Sequence, residues 1–233
     1  MKKIGIIGAM EIEVASLREA MESPRITKKA GMTFCEGRIG GAEAVVVRSG
    51  ICKVNAAVCA QILIDTFGVS GIVNTGAAGS LDNRIDVGDF VISTDVMYHD
   101  VDATNFGYAK GEVPQMGTLA FPADESLRAL AAKAAAEEAG DQKVFEGRIT
   151  SGDQFVRTAE QKREIIASTG GICTEMEGAG AAQAAYLNGV PFVVIRAISD
   201  KADESISVAY DVFEKKAAAD SARIVKRMLE QSE

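Results

Sequence analysis

Carboxylates that are able to carry proton-transfer chemistry stand at the ends of predicted strands. Asp200 follows the apolar run VPFVVIRAIS, which begins at Val190. A carboxyl at the end of a buried strand is partly desolvated, and desolvation favours the protonated form that a general acid needs. Asp200 could equally cap the segment that follows it, so the residues at the other strand ends must decide between the two interpretations.

A second acidic pair follows the first predicted strand in the segment GAMEIEV, at Glu11 and Glu13. Residues two apart are about 200° apart around a helix, so these two side chains cannot face the same site. From the pattern alone, the favoured interpretation is a pair of first-turn acids that complement the helix dipole.

A third acidic segment, CTEMEG, carries Glu175, Met176 and Glu177 just ahead of a helix rich in small residues. A carboxylate at this point can accept two charge-assisted hydrogen bonds from a ribose diol. Glu177 could instead serve only as an acid at the helix N-terminus, and the pattern leaves both interpretations open.

Two further strand-end segments suit a flat ligand. The segment NTGAAG, at residues 74–79, is predicted to be a turn whose backbone N–H groups can approach a ligand closely, or else a tight strand-to-helix connection. In SGDQFVR, Phe155 could stack on a heterocycle or belong to the core. Neither the G-x-G-x-x-G fingerprint nor the Gly-Lys-Ser/Thr ending is present, which argues against a dinucleotide or ATP.

Composition narrows the class of partner. The net charge is −8, and the single histidine is His99. Nucleic acid and anionic membranes are therefore disfavoured as partners, and a histidine-based metal site is not expected. No apolar stretch approaches the roughly 18 residues of a membrane span, and the start of the chain is predicted to be a strand rather than a signal peptide. The four cysteines lack metal-ligand spacing and suit a reducing cytoplasm.

Strand-like and helix-like runs alternate along the chain, which predicts one α/β domain over residues 1–233 with a central mixed sheet flanked by helices. A hairpin around Gly40-Gly41 makes the sheet mixed rather than parallel. The predicted strands are Lys3–Gly8, Met32–Ile39, Ala44–Ser49, Gly71–Thr75, Asp89–Thr94, Val144–Ser151 and Val190–Ile198. The predicted helices are Glu11–Met21, Val54–Phe67, Glu125–Glu138, Ala159–Ser168, Glu177–Leu187 and Val208–Gln231.

The motifs together resemble a known family. IGIIGAMEIEV, SGICKVNAA, NTGAAGSL, VGDFVIS, YHDVDATNFGY, SGDQF, EMEGAG and VPFVVIRAISDKAD occur in order from residue 4 to about residue 203. They look like the 5'-methylthioadenosine/S-adenosylhomocysteine nucleosidases of the wider nucleoside phosphorylase superfamily. The resemblance implies a nucleoside phosphorylase-like fold, a homodimer, and hydrolysis of an N-glycosidic bond that releases adenine and a 5-thio-substituted ribose. It implies no metal and no organic cofactor.

The resemblance also implies roles for individual residues. Asp200 would protonate adenine N7, and Ser199 would help to hold Asp200 or the base. Glu13 would activate the attacking water near Arg196. Glu177 would hold the ribose hydroxyls, Phe155 would stack on adenine, and the backbone of Val156 would read its edge. The remaining residues expected to bind substrate are Met10, Ile51, Ala77, Gly79, Phe106, Glu175, Met176 and Tyr210. Ala77 departs from the family, whose members often carry Ser there, so a modest change in affinity or rate is expected.

Water is favoured over phosphate as the nucleophile. A carboxylate at Glu13 would repel phosphate, and a phosphorylase would need a cradle rich in arginine or N–H groups. The alternatives are a purine nucleoside phosphorylase, a nucleosidase for 5'-deoxyadenosine or aminodeoxyfutalosine, and a non-catalytic nucleoside sensor. A sensor would be preferred if Glu13 or Asp200 were absent, and both are present.

Overall fold

Ten strands form one mixed sheet in the computed structural model, which describes residues 3–204 and 210–231, with side chains in the last helix from residue 213 onward. The predicted fold class is confirmed. The strands are β1 (Ile4–Gly8), β2 (Glu22–Lys29), β3 (Met32–Ile39), β4 (Ala42–Arg48), β5 (Gly71–Ser80), β6 (Phe90–Tyr98), β7 (Phe121–Pro122), β8 (Val144–Ser151), β9 (Cys173–Glu175) and β10 (Phe192–Asp200). The helices of the described residues are α1 (Glu11–Glu19), α2 (Lys53–Phe67), α3 (Glu125–Glu138), α4 (Ala159–Thr169), α5 (Gly178–Leu187) and α6 (Tyr210–Glu230), with a 3₁₀ turn at Thr104–Phe106.

Part of the sheet closes on itself. β5 pairs with β10, which continues through β6, β8 and β9 and returns to β5. On its other side, β5 pairs with β1, and the order continues through β4, β3 and β2. β3 and β4 form the antiparallel hairpin predicted around Gly40-Gly41. β2 was not predicted because its sequence, ESPRITKK, is polar and its side chains are mostly exposed.

The segment NTGAAG does not leave the sheet, so the prediction of a turn or a strand-to-helix connection at residues 74–79 is wrong. β5 continues to Ser80 because β10 pairs with it along this whole stretch. The small residues serve another purpose. A Cβ added at Gly76 would lie 2.4 Å from Glu13 Oε1, and one added at Gly79 would lie 2.8 Å from Asp200 Oδ1. Only glycine leaves room for these two carboxylates against the strand.

Helices cover both faces of the sheet. Apolar residues of α2 and α5 pack with Ile7, Phe34 and Val47 on one face. Those of α1, α3 and α6 pack with Ile4 and Ile6 on the other. α5 comes very close to the start of α2, where its small residues are needed for the contact. No helix of the described part of the chain is long and apolar enough to cross a membrane.

Candidate active site

A cavity of about 150 Å³ lies where the strand ends of β1, β9 and β10 meet the second half of β5. The cavity brings together residues from distant parts of the sequence, including both predicted catalytic carboxylates. The predicted site residues that line it are Met10, Glu13, Ile51, Ala77, Gly79, Phe155, Val156, Glu175, Met176, Glu177, Ser199 and Asp200.

Glu13 is buried in the first turn of α1 and faces the cavity, whereas Glu11 points outward to Arg18 at 2.7 Å. Glu13 Oε2 accepts the N–H groups of Ala9 at 2.6 Å and Met10 at 2.9 Å, and Oε1 accepts that of Ala77 at 3.3 Å. Burial raises the pKa of Glu13, although these hydrogen bonds and the nearby Arg196 oppose the rise. The carboxyl is therefore held rigidly and is basic enough to take a proton.

Asp200 ends β10 and is also buried at the cavity. Its Oδ2 accepts the Ser199 hydroxyl at 2.9 Å, and its Oδ1 accepts the N–H of Ala202 at 2.7 Å. Asp200 therefore caps the following turn and faces the cavity at once, so the two interpretations of the sequence were not exclusive. Burial raises the pKa of Asp200, with a smaller contribution from the charge of Asp203, which favours a proton that can be donated.

Glu175 lines the cavity, but its carboxylate is engaged in holding the site together. Its Oε2 accepts the N–H groups of Glu177 at 3.0 Å and Gly178 at 2.7 Å, and it also pairs with Arg196. Its Oε1 accepts the Ser151 hydroxyl. These contacts fix the start of α5, which carries Glu177.

Arg196 does not line the cavity. It is 1% exposed, and its guanidinium donates to Glu175 and Asn74. Burial alone would lower the pKa of Arg196, but the carboxylates of Glu175 and Glu177 outweigh it and raise the pKa, so the group stays cationic. Its positive charge is therefore paired with Glu175, which lines the cavity, rather than exposed to the cavity itself.

Glu177 lies at the start of α5, but its carboxylate does not cap that helix. Its Oε1 accepts the N–H of Cys52 at 2.8 Å, at the start of α2. Burial, followed by the charge of Glu175, raises the pKa of Glu177 to about 8, against the opposing effect of Arg196. The interpretation of Glu177 as a simple helix N-terminal acid is therefore wrong, because the fold points its carboxylate across to a second helix.

We expect Glu177→Gln to stabilise the unliganded protein more at high pH than at low pH. Because folding raises the pKa of Glu177 from 4.5 to about 8, its contribution to stability is fully present below about pH 4.5 and is lost as the pH rises through about 8. Glutamine does not titrate, so its advantage should grow to at least about 1 kcal/mol, since one pKa unit corresponds to about 1.36 kcal/mol.

Urea unfolding at about pH 5 and about pH 9 measures this difference for Glu177→Gln and the wild type. Glu164→Gln supplies the control, since it makes the same substitution at an exposed position away from the cavity. A Glu177→Gln advantage that stays constant with pH would contradict the expectation.

Apolar side chains line the cavity together with the carboxylates. Phe155 is 47% exposed and lines the cavity, so the alternative that it belongs to the core is wrong. Val156 beside it is buried, and Met10, Ile51 and Met176 line the same space. The cavity can thus offer a flat ring both apolar contacts and hydrogen-bonding carboxyl groups.

Besides Arg196, one predicted residue does not line the cavity, and another cannot be placed from the described side chains. Phe106 is 78% exposed in the 3₁₀ turn and does not line the cavity. The side chain of Tyr210 lies outside the described residues, so its predicted place in the site stays a prediction.

Sequence reasoning missed five residues that line the cavity: Ala9, Ala78, Gln154, Thr174 and Glu214. Ala9, Ala78, Gln154 and Thr174 lie inside segments that were singled out, next to residues that were chosen. Thr174 lies in β9, a three-residue strand without an apolar pattern of its own. Glu214 lies in α6, and its sequence gave no signal because the helix pattern alone does not show which face meets the cavity.

Comparisons with known proteins show the family of the chain. A family model described as the phosphorylase superfamily matches residues 3–230. The chain is 44% identical over 231 residues to the 5'-methylthioadenosine/S-adenosylhomocysteine nucleosidase of Shewanella pealeana, with 98% of this chain and 99% of the relative covered.

Solved structures are equally similar. The nucleosidase of the same description from Colwellia psychrerythraea, in complex with adenine, has a TM-score of 0.94 and 42% identity, with 98% of this chain and 94% of that chain covered. The nucleosidase from Neisseria meningitidis, in complex with methylthio-immucillin-A, has a TM-score of 0.94 and 41% identity, with 99% of both chains covered. Futalosine hydrolase of Helicobacter pylori has a TM-score of 0.92 and 34% identity, with 99% and 98% covered.

Proposed function

As this chain belongs to the phosphorylase superfamily, and within it to the 5'-methylthioadenosine/S-adenosylhomocysteine nucleosidases, we propose that it hydrolyses the N-glycosidic bond of these two nucleosides. The products are adenine and the 5-thio-substituted ribose. The resemblance of its sequence motifs to this family is confirmed. We propose that residues 1–233 act as one catalytic domain.

The observation that carries the proposal is the placement of Glu13 and Asp200 on one cavity, each against a glycine of β5. Gly76 and Gly79 are three residues apart, and three residues of extended strand span about 10 Å. Glu13 and Asp200 thus meet β5 at two different points along the strand while lining the same cavity. One carboxyl can then act on the leaving base while the other acts at the sugar.

Each carboxyl has chemistry that suits its place. Cleavage of the C–N bond builds negative charge on the leaving base and positive charge on the sugar. Asp200, whose pKa is raised by burial, donates a proton to adenine N7 and so neutralises the leaving group. Glu13 accepts a proton from the attacking water, and its negative charge stabilises the cationic sugar. Phe155 stacks on the base, and Glu177 binds the ribose hydroxyls.

Water rather than phosphate is the proposed nucleophile. Five carboxyl groups, those of Glu13, Glu175, Glu177, Asp200 and Glu214, line the cavity. Ionised carboxylates repel a phosphate anion, and the buried guanidinium of Arg196 is already engaged by Glu175 and Asn74. A phosphorylase would need cationic side chains directed at the sugar, and the described residues that line the cavity include no lysine or arginine.

Adenine release in phosphate-free buffer tests the proposal. Purified protein is incubated with 5'-methylthioadenosine and with S-adenosylhomocysteine, and adenine is quantified by chromatography. We expect release without phosphate, together with a free reducing sugar. Release that requires phosphate and yields a sugar 1-phosphate would contradict the hydrolase assignment. A parallel incubation with aminodeoxyfutalosine tests the alternative, which the likeness to futalosine hydrolase supports.

The proposed assembly is a homodimer. Apolar side chains remain exposed on α2 and α5, which pack against each other on the same face of the sheet. Val54 is 72% exposed, and Leu187 is 65% exposed. Clustered apolar exposure of this kind is typical of a surface that a protein partner covers, and a second copy of the chain is the partner proposed.

We expect Val54→Lys to convert the dimer to a monomer, because a lysine charge would have to be buried in the contact. Light scattering coupled to size-exclusion chromatography measures the mass. Ile26 of β2 is 55% exposed and serves as the control, since Ile26→Lys should leave the mass unchanged. A wild-type protein that elutes as a monomer would contradict the proposal.

A cytoplasmic location is proposed as well. All four cysteines are unpaired, which suits a reducing compartment. The net charge of −8 argues against nucleic acid and anionic lipid as partners.

A further inference from the structure

We propose that the hydroxyl of Thr174 hydrogen-bonds the 6-amino group of the bound purine and thereby helps to select adenine; the inference rests on the proposed function. Thr174 lies in β9 and lines the cavity. Its hydroxyl oxygen is buried and has no hydrogen-bond partner among the described residues. A buried hydroxyl without a partner costs free energy, so its presence needs a reason. A ligand in the cavity would supply the missing partner.

The sheet places Thr174 beside the proposed general acid. Thr174 is paired directly with Gly79 in the antiparallel contact between β9 and β5. Directly paired residues point to the same face of a sheet with their Cβ positions about 5 Å apart. The Cβ position of Gly79 is 2.8 Å from Asp200 Oδ1. The threonine side chain therefore belongs to the same part of the cavity wall as the Asp200 carboxyl.

The positions of the polar groups on the purine determine which of them this hydroxyl would contact. N7 and the 6-amino group lie on one edge of adenine. A side chain next to the acid that protonates N7 is therefore placed to contact the amino group. A hydroxyl oxygen has two lone pairs that can accept an N–H donor. Thr174 would accept one amino hydrogen while Asp200 serves the adjacent ring nitrogen.

A neighbouring threonine provides the contrast. Thr150 of β8 is paired with Thr174 and is also fully buried. Its hydroxyl donates to the Cys173 carbonyl at 3.1 Å, and it does not line the cavity. Two threonines in one register thus differ in two respects: only Thr174 lines the cavity, and only its hydroxyl lacks a partner among the described residues. Thr150 is therefore a structural control for Thr174.

Calorimetric titration of the full-length protein with adenine and with unsubstituted purine, which lacks the amino group, tests the proposal. We expect Thr174→Val to weaken adenine binding about fivefold, the usual effect of one neutral hydrogen bond, and to change purine binding less than about twofold. Thr174→Ser, which keeps the hydroxyl, should bind adenine as the wild type does. Thr150→Val should lower the melting temperature and leave both affinities unchanged.

The melting temperature distinguishes a role of Thr174 in ligand recognition from a role in folding. Because the hydroxyl of Thr174 has no partner in the unliganded protein, Thr174→Val should melt at the wild-type temperature or above it. A lowered melting temperature, an equal loss of adenine and purine affinity, or unchanged adenine affinity would each overturn the inference. None of these results would affect the proposed function, which fails only if the wild-type protein releases no adenine in phosphate-free buffer.

Discussion

Asp200→Asn is expected to lower kcat by about 100- to 10,000-fold while adenine and substrate still bind, because removal of a general acid typically costs this much. Asparagine keeps the shape of the side chain: its Oδ1 can still accept the Ala202 N–H, and its Nδ2 can donate to the Ser199 hydroxyl oxygen. It cannot transfer a proton, so the base would have to leave as an anion. A steady-state assay gives kcat, and calorimetry gives the affinity for adenine. Near-normal turnover would contradict the assignment of Asp200.

The pH profile adds a second test of the same acid. Because burial raises the pKa of Asp200, the protonated form persists to higher pH than for an exposed aspartate, and kcat should fall as the pH rises through this pKa. Asp203 is the matched control. Its charge contributes to the raised pKa, so Asp203→Asn should move the alkaline limb to lower pH while the maximal kcat changes little. A shift in the opposite direction would argue that another group limits the rate.

Glu13→Gln is expected to reduce kcat by a similar factor of about 100 to 10,000, because the water then lacks its base and the cationic sugar lacks its counter-charge. The loss should appear in kcat more than in KM, since these interactions strengthen in the transition state. The glutamine oxygen can still accept the N–H groups of Ala9 and Met10, so folding should be retained.

Glu11 provides the control for Glu13. It occupies the same turn of α1 and carries the same charge, but it is exposed and pairs with Arg18. Glu11→Gln should therefore leave kcat within about twofold of the wild type, as surface ion pairs contribute little. If Glu11→Gln and Glu13→Gln lowered kcat equally, the effect would be one of net charge, and the assignment of Glu13 as the base would fail.

Local patterns predicted the parts of the fold that rest on periodicity. The buried strands, the hairpin around Gly40-Gly41 and the six helices follow from runs of apolar residues and from turn chemistry. Most were found near the expected bounds, but β5 continues well past Thr75 and β6 past Thr94. β2, β7 and β9 were missed, since an exposed polar strand and strands of two or three residues carry no such pattern.

The sequence by itself determined the α/β class, the family and most of the residues at the cavity, because buried strands and strand-end carboxylates are local features of the chain. Only the tertiary structure decided what those carboxylates do. Glu175 and Glu177 are two residues apart, yet one is held by Arg196 and the other reaches the start of α2. The pairing of β5 with β10 likewise turned a predicted loop into the strand against which Glu13 and Asp200 pack. Burial and pairing arise between segments far apart in the chain, so no local pattern contains them.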